Sequence, residues 1–237
     1  MKLNDLKDID KLIRGPVREV LSAALPQSPT LDEAYVTQTK TYNLPTEMLS
    51  DKNKVANLEI LDGLVDTTNR VSAELDVAKR QEANSDSSEF RSLKLDEAYN
   101  VNNSFLMAMH FENISDMSST VSMDSLAFMR LERDFGTFDE WQQDFIACAM
   151  SSRAGFAATV YSNFLQRYIN LCIDDGNRNI LASCIPVIVL NCNTTSYFRD
   201  YLNDRKSYIF AMMKELDWDK IESRIKKADK VAEIMKK

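Results

Sequence analysis

The sequence is poor in the residues that most often carry chemistry. Among 237 residues there is one histidine, His110, and there are two tryptophans. A single imidazole excludes a metal site built from several histidines of one chain, and leaves serine or cysteine nucleophiles only His110 as a base. Glycine and proline number five each, which argues for long helices and few tight turns. Four cysteines (Cys148, Cys172, Cys184, Cys192) form no C-x-x-C pair and lie inside apolar segments. That is the pattern of buried reduced thiols in a reducing compartment, not of a disulfide framework or a zinc site. No apolar run approaches the roughly 20 residues of a membrane span, so no membrane partner is expected. The first residues, MKLNDLKDIDKLIRG, carry Asp5, Asp8 and Asp10, unlike a basic, acid-poor transit peptide. A net charge of −7 argues against nucleic-acid binding by the surface as a whole. No G-x-S-x-G, Walker or G-x-G-x-x-G pattern is present.

What is present is an ordinary globular balance of 44% apolar and 27% charged residues, enough for one large domain or two small ones. The chain is organised around Ile185 to Tyr208. An apolar, β-branched run, Ile185 to Leu190, reads as a buried strand. It turns polar at Asn191-Cys192-Asn193-Thr194-Thr195 and continues with Tyr197, Phe198, Tyr201, Leu202 and Tyr208 at helical spacing. A buried strand that delivers polar residues into a helix start is a common way to build a site, but Asn and Thr are neutral and poor ligands.

Residues 1–50 read as an N-terminal arm. Short helices are expected at Leu3 to Ile13 and at Val17 to Leu25, with breaks at Pro26, Pro29 and Pro45. Residues 51–122 read as a hairpin of two long helices, about Asn57 to Ala83 and Leu95 to Ile114, joined by the polar linker Glu82 to Glu89. In residues 123–237, Asp124 is expected to cap a helix that stops at Gly136. Thr137 and Glu140 have capping-box spacing for the next helix. Strands are expected at Gly155 to Ser162, Arg167 to Asp174 and Ile185 to Asn191, and helices at Asn203 to Leu216 and Trp218 to Lys236. The order predicts an α+β fold: a long-helix hairpin, then a domain with a three-stranded antiparallel sheet flanked by helices.

Specific residues resemble the iron/manganese superoxide dismutase family. Asp134-Phe135-Gly136-Thr137-Phe138-Asp139-Glu140-Trp141 is similar to its D-F-G-S-F-E-x-F segment, and Ala154-Gly155-Phe156-Ala157-Ala158 sits where it has S-G-W-x-W. Pro186 to Phe198 sits where it has P-L-L-x-x-D-x-W-E-H-A-Y-Y. Tyr201-x-Asn203-x-Arg205-x-x-Tyr208 and Leu216-Asp217-Trp218-Asp219 are similar to its Y-x-N-x-R-x-x-Y and N-W-D endings. Asn102-Asn103-Ser104-Phe105 resembles N-H-S-x-F, and a shift of one helical turn would put Met107 in place of Asn103. The family holds one metal with three histidines and an aspartate; the matching positions here are Asn103, Asn191 and Thr195, with Ala158 and Asn193 in place of tryptophans.

The resemblance therefore implies no catalytic, cofactor-binding or metal-binding residues, and a chain that is not an enzyme. Its metal-free relatives imply a structural protein of the mitochondrial ribosome's small subunit, in the matrix, paired with a related superoxide-dismutase-like subunit among other small-subunit proteins. The alternative is a divergent superoxide dismutase or a repurposed oxidoreductase. In the family the dimer interface includes the positions matched by Thr194, Thr195 and Phe198, which become the expected partner contacts. The last helix carries seven basic residues against three acidic ones from Lys220 onward. Its Lys226, Lys227 and Lys230 are the expected contacts to ribosomal RNA.

Overall fold

Three eight-residue strands, β1 (Gly155–Ser162), β2 (Arg167–Asp174) and β3 (Cys184–Asn191), form one antiparallel sheet in the order β2-β1-β3. The computed structural model describes residues 36–38, 40–114 and 119–235. β1 lies in the centre and is buried along its whole length. Pro186, which has no N–H to give a ladder, stands in an edge strand beside a register shift at Thr159/Val160. The expected α+β architecture is found, with each strand within one residue of its expected start.

Seven α-helices, with a short 3-10 turn at Arg80–Glu82, complete the described fold. α1 (Asp51–Val77) and α2 (Glu89–Asn113) form the hairpin; α3 (Leu126–Phe135) and α4 (Phe138–Ser151) precede the sheet; α5 (Thr194–Tyr201), α6 (Arg205–Lys214) and α7 (Trp218–Met235) follow it. The helix starts are set by caps. Ser50 Oγ accepts from Asn53 N at 3.3 Å, so α1 begins six residues before the expected Asn57. Ser88 caps α2 in the same way. α3 is capped by Ser125, whose Oγ accepts from Phe128 N at 3.1 Å, and not by Asp124. Gly136, at φ +98°, closes α3 in a conformation that suits glycine. Thr137 then caps α4 as its spacing implies, accepting from Glu140 N at 3.1 Å.

Alternation along the strands divides the core in two. Ala157, Tyr161, Tyr168, Ile188 and Leu190 face α3, α4, α6 and α7, with Trp141, Phe145 and Tyr208 fully buried there. Phe156, Ala158, Val160, Ile173 and Val189 face the hairpin, where they meet Leu61, Val65, Leu106 and Met107. Of the expected arm, residues 40–49 run against the domain, burying Leu44 in the second core and Leu49 in the first. The helices expected at Leu3 to Ile13 and Val17 to Leu25 lie outside the described residues, as do Ser115 to Ser118 and Lys236 to Lys237.

Candidate functional site

The end of β3 brings Asn191 to the hairpin side of the sheet, on the same face as Val189 and opposite Phe156 in the ladder. Asn191 is buried, and its polar atoms are engaged locally. Oδ1 accepts from Asn193 N at 3.0 Å and from Asn193 Nδ2 at 2.8 Å, and the backbone oxygen accepts from Tyr208 Oη at 2.7 Å. Thr194 and Thr195 occupy the exposed first turn of α5, while Ser196 points inward. Ser196 belongs to a network that joins α5 to the start of α1. Asn53 Nδ2 donates to Ser196 O and to Asp200 Oδ2, both at 2.9 Å, Asn57 Nδ2 donates to Asn53 Oδ1 at 2.6 Å, and Ser196 Oγ donates to Asn57 Oδ1 at 3.4 Å. Sequence reasoning missed this network; the i, i+4 spacing of Asn53 and Asn57 was its one signal.

Asn103 does not join Asn191. Its Nδ2 donates to Tyr99 O at 2.8 Å and to Asp175 O at 3.4 Å, beneath the β2–β3 turn. There Gly176, at φ +61°, lies so close that a Cβ would overlap the Asn103 amide. Met107, one helical turn on, is the residue that enters the cluster beside Val189.

Iron or manganese, implied by the resemblance, needs several imidazole or anionic donors converging on one point. Phe156, the ladder partner of Asn191, belongs instead to an apolar cluster with Leu61, Val65, Met107, Ala158 and Val189. Among the described residues, no group of three or more His, Cys, Asp or Glu is placed to hold a metal ion. His110 is fully buried on α2. Burial pushes its imidazole down to about 4, partly offset by a hydrogen bond to the Val189 backbone, and Nδ1 has no partner. One neutral imidazole and one amide do not make a site for either metal, so these residues do not fit it. The four cysteines are free, and burial pushes the Cys148 and Cys192 thiols up to about 11, far from the thiolate a metal or a nucleophile requires.

The two surface groups singled out in the sequence lie on α5 and α7. Thr194, Thr195 and Phe198 are exposed on α5, Phe198 at 47%. Lys226, Lys227 and Lys230 are exposed on α7, with Lys226 paired to Glu222 at 3.2 Å. Arg224 does not project outward with them. Its guanidinium turns inward and donates to Glu112 Oε2 at 2.9 Å, to Val187 O and Met109 O at 3.2 Å each, and to Asn113 Oδ1. Burial would raise the Glu112 carboxyl, but Arg224, helped by Lys40, holds it below the usual range. The arrangement ties α7 to the end of α2 and to β3.

Residues 124–224 match the family described as iron/manganese superoxide dismutases, C-terminal domain. The chain is 31% identical to the superoxide dismutase [Fe] of Aquifex pyrophilus over 164 residues, covering 69% of this chain and 76% of that protein. It is 30% identical to the superoxide dismutase [Fe] of Aquifex aeolicus over the same lengths. It is 28% identical to the superoxide dismutase [Mn] 1 of Halobacterium salinarum over 133 residues, 56% of this chain and 66% of that one. These relatives are named as enzymes, and that overturns the expectation that this chain is not one. The expectation took the absence of one ligand set for the absence of activity, and the first does not entail the second.

Proposed function

The chain belongs to the iron/manganese superoxide dismutase family, and we propose that it is a repurposed oxidoreductase of that family, divergent where the family's metal ligands would stand. The observation that carries this reading is the junction of β3 and α5. A scaffold shared over 164 residues with a superoxide dismutase carries a buried Asn191 and an exposed Thr195 where the resemblance implies an aspartate and a histidine. Metal analysis combined with superoxide and general electron-acceptor assays on the purified protein tests it. The expected result is iron and manganese well below one equivalent, and turnover, where found, that survives chelation. Stoichiometric iron or manganese with chelator-sensitive superoxide consumption would make the chain a divergent dismutase in the ordinary sense.

A second reading rests on the surface. Phe198 stands exposed beside Thr194 and Thr195, a suitable apolar anchor for another chain. Lys226, Lys227 and Lys230 form an exposed basic strip on an otherwise acidic protein. Here the chain works within the mitochondrial ribosome's small subunit, in the matrix, against a related superoxide-dismutase-like subunit and ribosomal RNA. Co-sedimentation with small subunits across a salt series tests this, because phosphate contacts release counterions and weaken steeply with salt. Replacing the three lysines by Gln should lower the salt concentration at which the chain dissociates. An unchanged salt profile removes the RNA contact, and no co-sedimentation removes the reading.

A further inference from the structure

The β1–β2 turn and the loop that returns to β3 form an uncharged, apolar surface at one end of the sheet. Neither 163–166 (Asn-Phe-Leu-Gln) nor 179–185 (Asn-Ile-Leu-Ala-Ser-Cys-Ile) holds a charged residue, in a chain that is 27% charged. A surface that loses its charges and keeps apolar side chains has the composition of an interface core. Phe164 stands out from the turn at 87% exposure. The turn beneath it is fixed. Gln166 N donates to Ser162 O at 2.8 Å, Leu165 N to Ser162 Oγ at 3.2 Å, and Asn163 N to Ser183 O at 3.1 Å. An aromatic held on so rigid a base loses little freedom on docking. Beside the turn lies a cavity of about 190 Å³ between α2, the sheet and the returning loop. Ala158, Val160 and Leu171 line it from the sheet. Phe105, Ile180 and Leu181, each 40–51% exposed, line it where it meets the surface. Asn102 lines it too, its Nδ2 donating to Asn177 Oδ1 at 3.1 Å.

Knob and cavity are neighbours. Cys184, which lines the cavity, follows Ser183, which accepts from the turn that carries Phe164. That adjacency suits a twofold axis, because an isologous interface needs a patch that complements itself, residue i meeting j and j meeting i. An engineered cavity of about 150 Å³ takes benzene, so one of about 190 Å³ has room for the benzyl group of a phenylalanine. We propose that this surface pairs two copies of the chain, Phe164 of each entering the cavity of the other between Phe105, Ile180 and Leu181. Self-pairing about an axis sets groups against their own kind, so a patch without charge meets no like-charge repulsion. The area is also of the right order. With an aromatic side chain offering about 150–250 Å², Phe164, Leu165, Phe105, Ile180 and Leu181 expose on the order of 500 Å², against about 800 Å² per copy in a standard interface. The neutral side chains of Asn163, Gln166 and Asn179 extend the patch toward that size. It lies at the start of β3, whereas Phe198 lies on α5 beyond the end of that strand. The pairing goes beyond the oxidoreductase reading and does not depend on it.

Sedimentation velocity on the full chain, from about 1 to 200 µM, should show a dimer with a Kd of about 10 µM or tighter. Phe164→Ala removes an anchor from each copy and should weaken pairing by about a hundredfold or more. Leu181→Glu puts a charge at the mouth of each cavity and should weaken it to a similar extent. Both positions are exposed, so neither change touches the core, and if one variant fails to fold the other decides. Mixing the two is the sharper test. Phe164→Ala keeps its cavity and Leu181→Glu keeps its knob, so the mixture regains one of the two insertions and should pair more tightly than either variant alone. Phe198→Ala should leave the association unchanged. A wild type that stays monomeric at about 200 µM, or a dimer indifferent to Phe164→Ala, overturns the proposal. Loss of the dimer in Phe198→Ala would move the contact to α5 and overturn it as well. A mixture no tighter than its components overturns the reciprocal insertion.

Discussion

The two faces of the sheet are built to different standards. On the face covered by α3, α4, α6 and α7, large aromatic side chains are buried with their polar atoms paired. Trp141 Nε1 donates to Thr159 Oγ1 at 2.9 Å, Thr159 Oγ1 donates to Asn170 Oδ1 at 2.7 Å, and Tyr208 Oη reaches Asn191 O. Trp218 packs edge-on to Trp141, with centroids 5.7 Å apart. On the face covered by the hairpin the core is more aliphatic, with Phe111 and Phe156 its buried rings. It leaves a cavity of about 270 Å³ beside Leu61 and Val65, an unpaired Ser104 hydroxyl and an unpaired His110 nitrogen. The matched family region, residues 124–224, contributes all of the first face's sheet and most of its helical cover. The hairpin face, where the implied metal would be held, owes half of its core to helices outside that region. One sheet serves both.

The largest test of this contrast is truncation on each face. Trp141→Ala removes a fully buried ring and the donor to the Thr159 hydroxyl; it should cost about 4–5 kcal/mol in chemical denaturation. Leu61→Ala borders a cavity that already exists, so it should cost about 2–3 kcal/mol, the lower end for such a change. Equal costs would mean that the hairpin face is as tightly packed as the other.

A pH titration of stability separates the faces again. His110 is fully buried and held neutral, with its folded pKa lowered to about 4 from 6.5. Between those values the unfolded chain binds a proton that the folded chain refuses. Stability is therefore complete above pH 6.5 and declines as pH falls toward 4, by about 3 kcal/mol in all. Glu112, with its pKa lowered from 4.5 despite burial, chiefly by Arg224, loses its contribution only below that usual value. The slope between pH 6.5 and 4.5 thus reports on His110. Urea titrations should show it in the wild type and not in His110→Phe; a slope that survives the substitution would have another source.

Much of this was legible in the sequence, and the failures have physical causes. Strand positions followed from apolar, β-branched runs, and the Thr137–Glu140 box followed from its spacing. The start of α1 did not, because Asn53 and Asn57 interrupt the apolar stripe. They are buried all the same, satisfied by Ser196 and Asp200 more than 130 residues away, and no local pattern announces such a partner. That Asn103 sits beneath the β2–β3 turn while Met107 enters the apolar cluster was not legible either, because a helical stripe fixes which face is buried and not which turn meets the sheet. The cavity beside Leu61 and the unpaired Ser104 hydroxyl are properties of packing and leave no motif. The inference from missing ligands to a missing activity failed differently: those residues speak to one metal and say nothing of other chemistry.

The aromatic face is not without flaws of its own. Glu215, at the end of α6, is 1% exposed, and neither carboxylate oxygen has a hydrogen-bond partner. Replacing it by Met removes the unsatisfied group while keeping its length and should raise stability by about 1–3 kcal/mol. A destabilised variant would show that the carboxylate is satisfied in solution by a bound water.

The smallest effect is expected on the outer side of α7, and its smallness is what matters. Lys226 lies four residues after Glu222 and pairs with it at 3.2 Å, yet its side chain is 60% exposed. Such a pair contributes about 0.3–0.5 kcal/mol and fades with added salt. Glu222 does more, since its carboxylate accepts from Leu126 N at 3.3 Å and Ala127 N at 2.7 Å and so caps α3 from across the fold. Glu222→Ala should therefore cost about 1–2 kcal/mol, as the loss of a helix cap does, whereas Lys226→Gln should cost no more than about 0.5 kcal/mol. With that ratio, the lysine is spare as far as the fold is concerned, and its charge is available to a partner without loss of stability. A cost for Lys226→Gln comparable to that of Glu222→Ala would make the lysine part of the α3 cap, and would leave α7 with one fewer cation to offer.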